Sequence, residues 1–212
     1  MTPAQQSDRT YAICRMAPVV PVLVIDDVGH AAPLARALIL GGLPVLEVTL
    51  RTAAALDVIR VMAEVPGGVV GAGTLLTPAD VKAAKAAGAQ FGVSPGATDR
   101  LIAACEDEGL PLLAGAATAT EVMALLERGY TMMKFFPAET SGGAAALKAL
   151  GSPLPQARFC PTGGIGLGNA ADYLGLSNVV CVGGSWVAPK ALMQGGDWAG
   201  ITRLAAEAVR LG

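Results

Sequence analysis

Of the five lysines in the chain, four (Lys82, Lys85, Lys148 and Lys190) lie in Ala- and Leu-rich helical contexts, and Lys134 does not. Lys134 stands within the run Met132, Met133, Lys134, Phe135 and Phe136, a strand-like apolar sleeve in which desolvation disfavours the ammonium. A neutral amine is a nucleophile, and a ketone presented to it there can form a Schiff base. The competing reading is a structural ion pair. Its partner would be Glu47, because Val45, Glu47, Thr49 and Arg51 share one strand face by the period of two, and Leu46, Val48 and Leu50 share the other. The all-apolar face must pack on helices, which turns Glu47, Thr49 and Arg51 inward. A carboxylate placed there is costly unless a cation or a hydrogen-bond network meets it.

Two glycine clusters offer a second kind of chemistry: Pro161, Thr162, Gly163, Gly164, and then Gly183, Gly184, Ser185. Without a Cβ, glycine lets backbone amides approach an anion closely, so these two segments are candidate phosphate contacts. Each pair taken singly also fits a tight turn. Thr74, closing the run GAGT, could offer a hydroxyl and an amide to a substrate carboxylate, or could instead cap a helix. Arg51 could pair with that carboxylate, Phe136 could wall a pocket or belong to the core, and Pro95 shapes a loop. His30 is the single histidine and reads as a loop or helix-start residue. One histidine and four dispersed cysteines (Cys14, Cys105, Cys160, Cys181) without a CxxC pair predict buried thiols and no metal site.

The elements that must position these residues are short β-branched runs recurring every 20 to 25 residues, at 19–26, 44–50, 68–73, 89–94, 110–115, 130–136, 157–164 and 178–184. Between them lie Ala/Leu-rich helical segments. Thr77 before Pro78 and Asp80 marks one helix start. Thr118 with Glu121 forms a capping box at another, with Val122, Leu125 and Leu126 on its apolar face and Gly129 at its end. Ile201, Leu204, Ala205, Ala208 and Val209 make an amphipathic C-terminal helix. Eight strands alternating with eight helices predict an α/β fold, a (β/α)8 TIM barrel with an extra N-terminal helix near 3–16, as a single domain over 1–212. A doubly wound open sheet is the alternative. In a barrel, the strand ends GAGT, SPG, AGA and FPA would line the catalytic face.

Composition narrows the function. At 212 residues, with 53% hydrophobic and 15% charged residues, the chain has ample apolar material for a core, and its mean hydropathy of +0.53 excludes disorder. A net charge of −2 and a pI near 5.4, without a Lys/Arg run, argue against nucleic acid. Gly, Pro or a charge interrupts every apolar stretch before the roughly 18 to 20 residues of a membrane span. The N-terminus lacks the basic-then-apolar layout of a secretory signal, so a soluble cytoplasmic protein is expected.

Taken together, EVTLRT at 47–52, GAGT at 71–74, SPG at 94–96, KFFPAE at 134–139, FCPTGGI at 159–165 and GGSW at 183–186 closely resemble the 2-keto-3-deoxy-6-phosphogluconate (KDPG) / 4-hydroxy-2-oxoglutarate (KHG) aldolases. The motifs run in order from about residue 18 to the C-terminal helix. This resemblance implies a class I aldolase of the Entner-Doudoroff pathway, usually a homotrimer, which needs no cofactor or metal and whose partners are a small 2-keto acid and a phosphorylated aldehyde. Position by position it implies Lys134 as the Schiff-base lysine, Glu47 as the acid/base, and Arg51 and Thr74 as contacts to the pyruvate carboxylate. Thr162, Gly163, Gly164, Gly184 and Ser185 fall at the phosphate end, and Pro95 and Phe136 line the pocket. Some members have an arginine at the end of the first strand, where this chain reads Val24, Ile25, Asp26, Asp27. The same chemistry on KHG or on the galactonate epimer of KDPG is the close rival, and a noncatalytic sugar-phosphate-binding barrel is the rival of another class.

Overall fold

The computed structural model describes residues 1–212. Its eight strands are β1 (Val19–Leu23), β2 (Val45–Thr49), β3 (Val69–Gly73), β4 (Phe91–Val93), β5 (Leu112–Ala116), β6 (Met132–Phe135), β7 (Arg158–Pro161) and β8 (Val182–Gly184). All pair in parallel, in the order β7-β6-β5-β4-β3-β2-β1-β8. Two parallel bridges, Phe159↔Val179 and Thr162↔Gly183, join the two ends of that order. The sheet therefore closes into a barrel rather than reversing its winding, which sets aside the open doubly wound sheet.

An N-terminal helix, α1 (Pro3–Cys14), precedes the barrel, and seven connections carry one α-helix each: α2 (Ala31–Leu40), α3 (Ala55–Ala63), α4 (Pro78–Ala86), α5 (Asp99–Glu108), α6 (Ala119–Arg128), α7 (Gly143–Gly151) and α8 (Ala170–Leu174). After β8 the chain forms two, α9 (Lys190–Gln194) and α10 (Trp198–Val209). The break falls at Gly195-Gly196, where Gly196 takes φ +66, and Asp197 then caps α10 through the Gly200 amide. Helix starts at Thr77 and Thr118 are capping boxes, as their spacing predicts. The α1 helix stops two residues short of the predicted 3–16, because Arg15 already forms its cap ahead of Pro18 and β1. The strands are also shorter than the apolar runs that signal them, each pairing over only part of its run.

Two apolar layers hold the barrel. One lies between strands and helices. The other fills the lumen and includes Val20, Val45, Phe91, Val93, Leu113, Met132 and Cys160 from the strands. Gly71 on β3 is required there, because a Cβ at that position would overlap the Phe91 ring. The lower end of the barrel is closed by α1, whose buried face is Gln6, Ser7, Thr10 and Cys14. This polar face is matched to the backbone it covers. The Ser7 hydroxyl accepts the Thr131 and Met132 amides, each at 2.9 Å, and Gln6 Oε1 accepts the Leu112 amide and the Tyr130 hydroxyl, each at 3.1 Å. Ser7→Ala would strand two amides of the β6 edge away from water, so it is expected to cost about 2 kcal/mol or more. Urea unfolding would show this as a lower midpoint at unchanged slope.

No helix is long and apolar enough to cross a membrane.

Candidate active site

Lys134 on β6 and Glu47 on β2 are 5% and 3% exposed, and Lys134 Nζ lies 3.3 Å from Glu47 Oε1. Since β5, β4 and β3 separate the two strands in the sheet, the pair spans the lumen, above the apolar layer. The period of two thus places both side chains inside, as the sequence predicts. Burial pushes the Glu47 carboxyl above the ordinary carboxylate range, and the Lys134 charge opposes that rise without cancelling it. A carboxyl whose neutral form is favoured in this way, beside an amine, is suited to pass protons to and from it.

The room for this pair comes from glycine. A Cβ on Gly73 would overlap the Glu47 carboxylate, and a Cβ on Gly115, the β5 register partner of Lys134, would overlap the Pro95 carbonyl. Gly115 therefore lets the half-buried Pro95 close in beside β5. The Phe136 ring forms a wall, with its centroid 5.2 Å from Lys134 Nζ. Thr49 turns inward as expected, and its hydroxyl donates to the Leu23 carbonyl at 3.0 Å.

Arg51 corrects the strand reading. It does not point into the lumen, because β2 ends at Thr49 and Arg51 lies exposed in the following turn. From there its Nε donates to Thr74 Oγ1 at 3.3 Å. Thr74 adopts φ 63, a left-handed conformation that a β-branched residue holds only at a cost. It caps no helix, a role taken by Thr77. Arg51 and Thr74 thus form a polar edge at the ends of the adjacent strands β2 and β3, and the Arg51 charge also acts on Glu47.

A third group follows β7 and β8. Gly163 and Gly164 take φ +106 and +78. The carbonyls of Thr162, Gly163 and Gly164 accept from the Ala138 amide (2.9 Å), the Glu139 amide (3.1 Å) and Asn169 Nδ2 (3.1 Å). Within each planar peptide the next N–H points opposite to the carbonyl, and the amides of Gly163, Gly164 and Ile165 donate to no protein acceptor. Three successive unengaged amides are available to an anion. Thr162 is 7% exposed and its Oγ1 has no hydrogen-bond partner; Gly183 leaves the space that this hydroxyl occupies. Phe136 packs beside Gly163, linking these amides to the lysine. Gly184 is buried under the Trp186 ring, while Ser185 is exposed and its hydroxyl bonds to none of these groups.

The expected residues therefore assemble at the C-terminal mouth of the barrel. His30 lies apart, in an outer cleft with Asp26, Asp27 and Lys190, and packs edge-on against Trp198. The end of β1 contributes no free cation, and Lys190 is paired with Asp26 at 3.2 Å. All four cysteines are buried and free. Cys14, Cys160 and Cys181 share one buried cluster beneath the site, yet no three His, Cys, Asp or Glu side chains are disposed to hold a metal ion. A larger cleft of about 590 Å³ lies at the opposite end, between α1 and the loops before β3, β4 and β5. Chemistry in this fold belongs to the C-terminal face, so volume does not identify the site. Residues missed from sequence are Gly73, Glu139, Asn169 and Tyr173. Only Asn169, standing just before a helix, carried a local signal.

A parallel (β/α)8 barrel with a buried amine beside a carboxyl at its mouth has the constitution of an imine-forming lyase. The comparisons narrow the class: residues 10–204 match the family model described as KDPG and KHG aldolase, and the chain belongs to that family. It is 54% identical over 193 residues to a 2-dehydro-3-deoxy-phosphogluconate aldolase of Pseudoalteromonas atlantica, covering 91% of this chain and 90% of that one. It superposes at TM-score 0.90 and 50% identity on the Zymomonas mobilis 2-keto-3-deoxy-6-phosphogluconate aldolase solved with 3-phosphoglycerate, over 95% of each chain. The Legionella pneumophila KDPG aldolase, solved with pyruvate captured as a covalent carbinolamine, superposes at TM-score 0.91 and 44% identity, over 94% of this chain and 97% of that one.

Proposed function

We propose that this chain cleaves KDPG to pyruvate and glyceraldehyde 3-phosphate through an imine on Lys134. The observation that carries the reading is the buried Lys134–Glu47 couple at the barrel mouth. Proton transfer to Glu47 frees the amine, which attacks the C2 ketone, and Glu47 protonates the departing oxygen as water leaves and the iminium forms. The Glu47 carboxylate then takes the C4 hydroxyl proton. The C3–C4 bond breaks, its electrons pass to the iminium, and glyceraldehyde 3-phosphate leaves an enamine of pyruvate. Protonation of the enamine at C3 and hydrolysis release pyruvate and restore the amine. The iminium itself serves as the electron sink, so the reaction balances without metal or cofactor.

In this reading Arg51 and Thr74 hold the substrate carboxylate. The Gly163 and Gly164 amides, with Gly184 and Ser185, hold the phosphate, while Thr162, Pro95 and Phe136 shape the space between. The activity resides in a single barrel domain over residues 1–212. A cytoplasmic homotrimer goes with it, for which exposed Leu40, Leu76, Met123 and Leu167 provide apolar surface; sedimentation would report the mass.

The substrate is tested by comparing kcat/KM on KDPG, its galactonate epimer, KHG and unphosphorylated 2-keto-3-deoxygluconate. Two or more charge-assisted bonds to the phosphate predict a loss of about a hundredfold or more when it is removed. Equal rates with and without phosphate would remove the role given to Gly163, Gly164 and Ser185, and a higher rate on KHG or the epimer would reassign the substrate.

A further inference from the structure

At the mouth of the barrel three residues that touch none of the reacting groups, Asn169, Glu139 and Tyr173, form a connected set of bonds against the glycine loop after β7. Asn169 stands at the start of α8 and grips the loop from both sides: its Oδ1 accepts the Gly166 amide at 2.8 Å while its Nδ2 donates to the Gly164 carbonyl at 3.1 Å. Glu139, in the turn after β6, donates its own amide to the Gly163 carbonyl at 3.1 Å. Its side chain occupies the space beside Gly164, where a Cβ would come within 2.6 Å of Glu139 Cγ. The Glu139 carboxylate is in turn held by the Tyr173 hydroxyl, which reaches it from α8. Tyr173 is only 1% exposed, so this hydroxyl has no water to turn to.

We infer that Asn169, Glu139 and Tyr173 form a positioning clamp that sets the enzyme's preference for phosphorylated substrates. The physical reason is peptide planarity. Holding the Gly163 and Gly164 carbonyls on the clamp fixes the Gly164 and Ile165 N–H groups in the opposite direction, free for an anion. At left-handed glycines the alternative peptide orientations lie close in energy, so nothing local to the loop selects this one. The inference rests on the proposed phosphate role of the loop.

The test measures KM and kcat of the wild type, Asn169→Ala, Tyr173→Phe, Glu139→Ala and Glu139→Gln on KDPG and on unphosphorylated 2-keto-3-deoxygluconate, with thermal unfolding to confirm the fold. Loss of the Asn169 bonds is expected to raise KM for KDPG about three- to tenfold, leaving its kcat and the unphosphorylated reaction within about twofold. Glu139→Ala keeps the main-chain bond to Gly163 and loses only the tie to Tyr173 and the packing on Gly164, so it should give a smaller KM rise of the same kind, and Glu139→Gln, which keeps an oxygen for Tyr173, should restore most of it. Tyr173→Phe keeps the ring and loses only the hydroxyl, so it should give a smaller KM rise of the same kind even if Asn169→Ala folds poorly. An equal loss on both substrates, or an unchanged KM for KDPG in all the variants, would overturn the clamp. A wild type indifferent to the phosphate would instead overturn the phosphate reading itself and take the clamp with it.

Discussion

Lys134→Met is expected to lower kcat/KM on KDPG by about four orders of magnitude or more, since without the amine no covalent intermediate can form. Methionine preserves an unbranched apolar stem on the lumen face of β6, opposite the face on which Met133 and Phe135 pack against the helices, so the packing of β6 survives. It also leaves Glu47 buried without its cation. Breaking a buried ion pair from one side ordinarily costs about 3 to 5 kcal/mol. Here burial already pushes the Glu47 carboxyl up, so the variant can neutralise it by taking up a proton, and the cost is expected to fall below that range. Steady-state rates test the first expectation, and chemical denaturation tests the second. Borohydride reduction with pyruvate followed by peptide mapping should place a pyruvyl adduct on Lys134 in the wild type and none in the variant. Turnover by the variant would end the mechanism. A folded wild type that binds phosphate ligands but yields neither adduct nor turnover would return the pair to a structural ion bridge and the protein to a noncatalytic barrel.

Glu47→Gln should lower kcat by about 10² to 10⁴, the usual contribution of a positioned acid/base. The amide keeps the volume and can still meet Lys134, so a pyruvyl adduct should remain trappable, though formed more slowly. In the wild type the acidic limb of the kcat/KM profile should fall above the ordinary carboxylate range, because burial raises Glu47, and the variant should lack that limb. Stability gives an independent check of sign. A carboxyl raised on folding contributes stability that is fully present below its unfolded pKa and is lost as pH rises through its folded value. Relative to Glu47→Gln, the wild type should therefore lose stability as pH rises through that window. A rising difference would mean that Glu47 is held as a stabilised carboxylate and is no proton shuttle.

Gly73 shows why a site can be half legible. The run GAGT marks a strand end, but nothing in it says that the Cα of its second glycine will lie against a carboxylate 26 residues upstream. The clamp is a harder case. Glu139 and Tyr173 come from different β/α units, and each in isolation is an unremarkable polar residue beside a helix. Arg51 shows the opposite error, in which a local rule was extended too far: the period of two holds only while the strand lasts, and β2 ends two residues earlier. The dispersed spacing of the cysteines predicts buried thiols, and all four are buried, but the meeting of three of them under the site depends on α1 folding across the barrel end.

The sequence by itself determined the eight β/α units, the caps at Thr77 and Thr118, the inward placement of Glu47 and Thr49, and the singular position of Lys134. Those features follow from periodicity, capping and desolvation, which act over a few residues. Only the tertiary structure decided that Lys134 and Glu47, 87 residues apart, face each other at 3.3 Å. It alone turned three amides of the β7 loop outward and set the polar face of α1 against the Thr131 and Met132 amides. The physical reason is closure: the bridges between β7 and β8 bring strands distant in sequence around one lumen, and a local pattern carries no information about what lies across it.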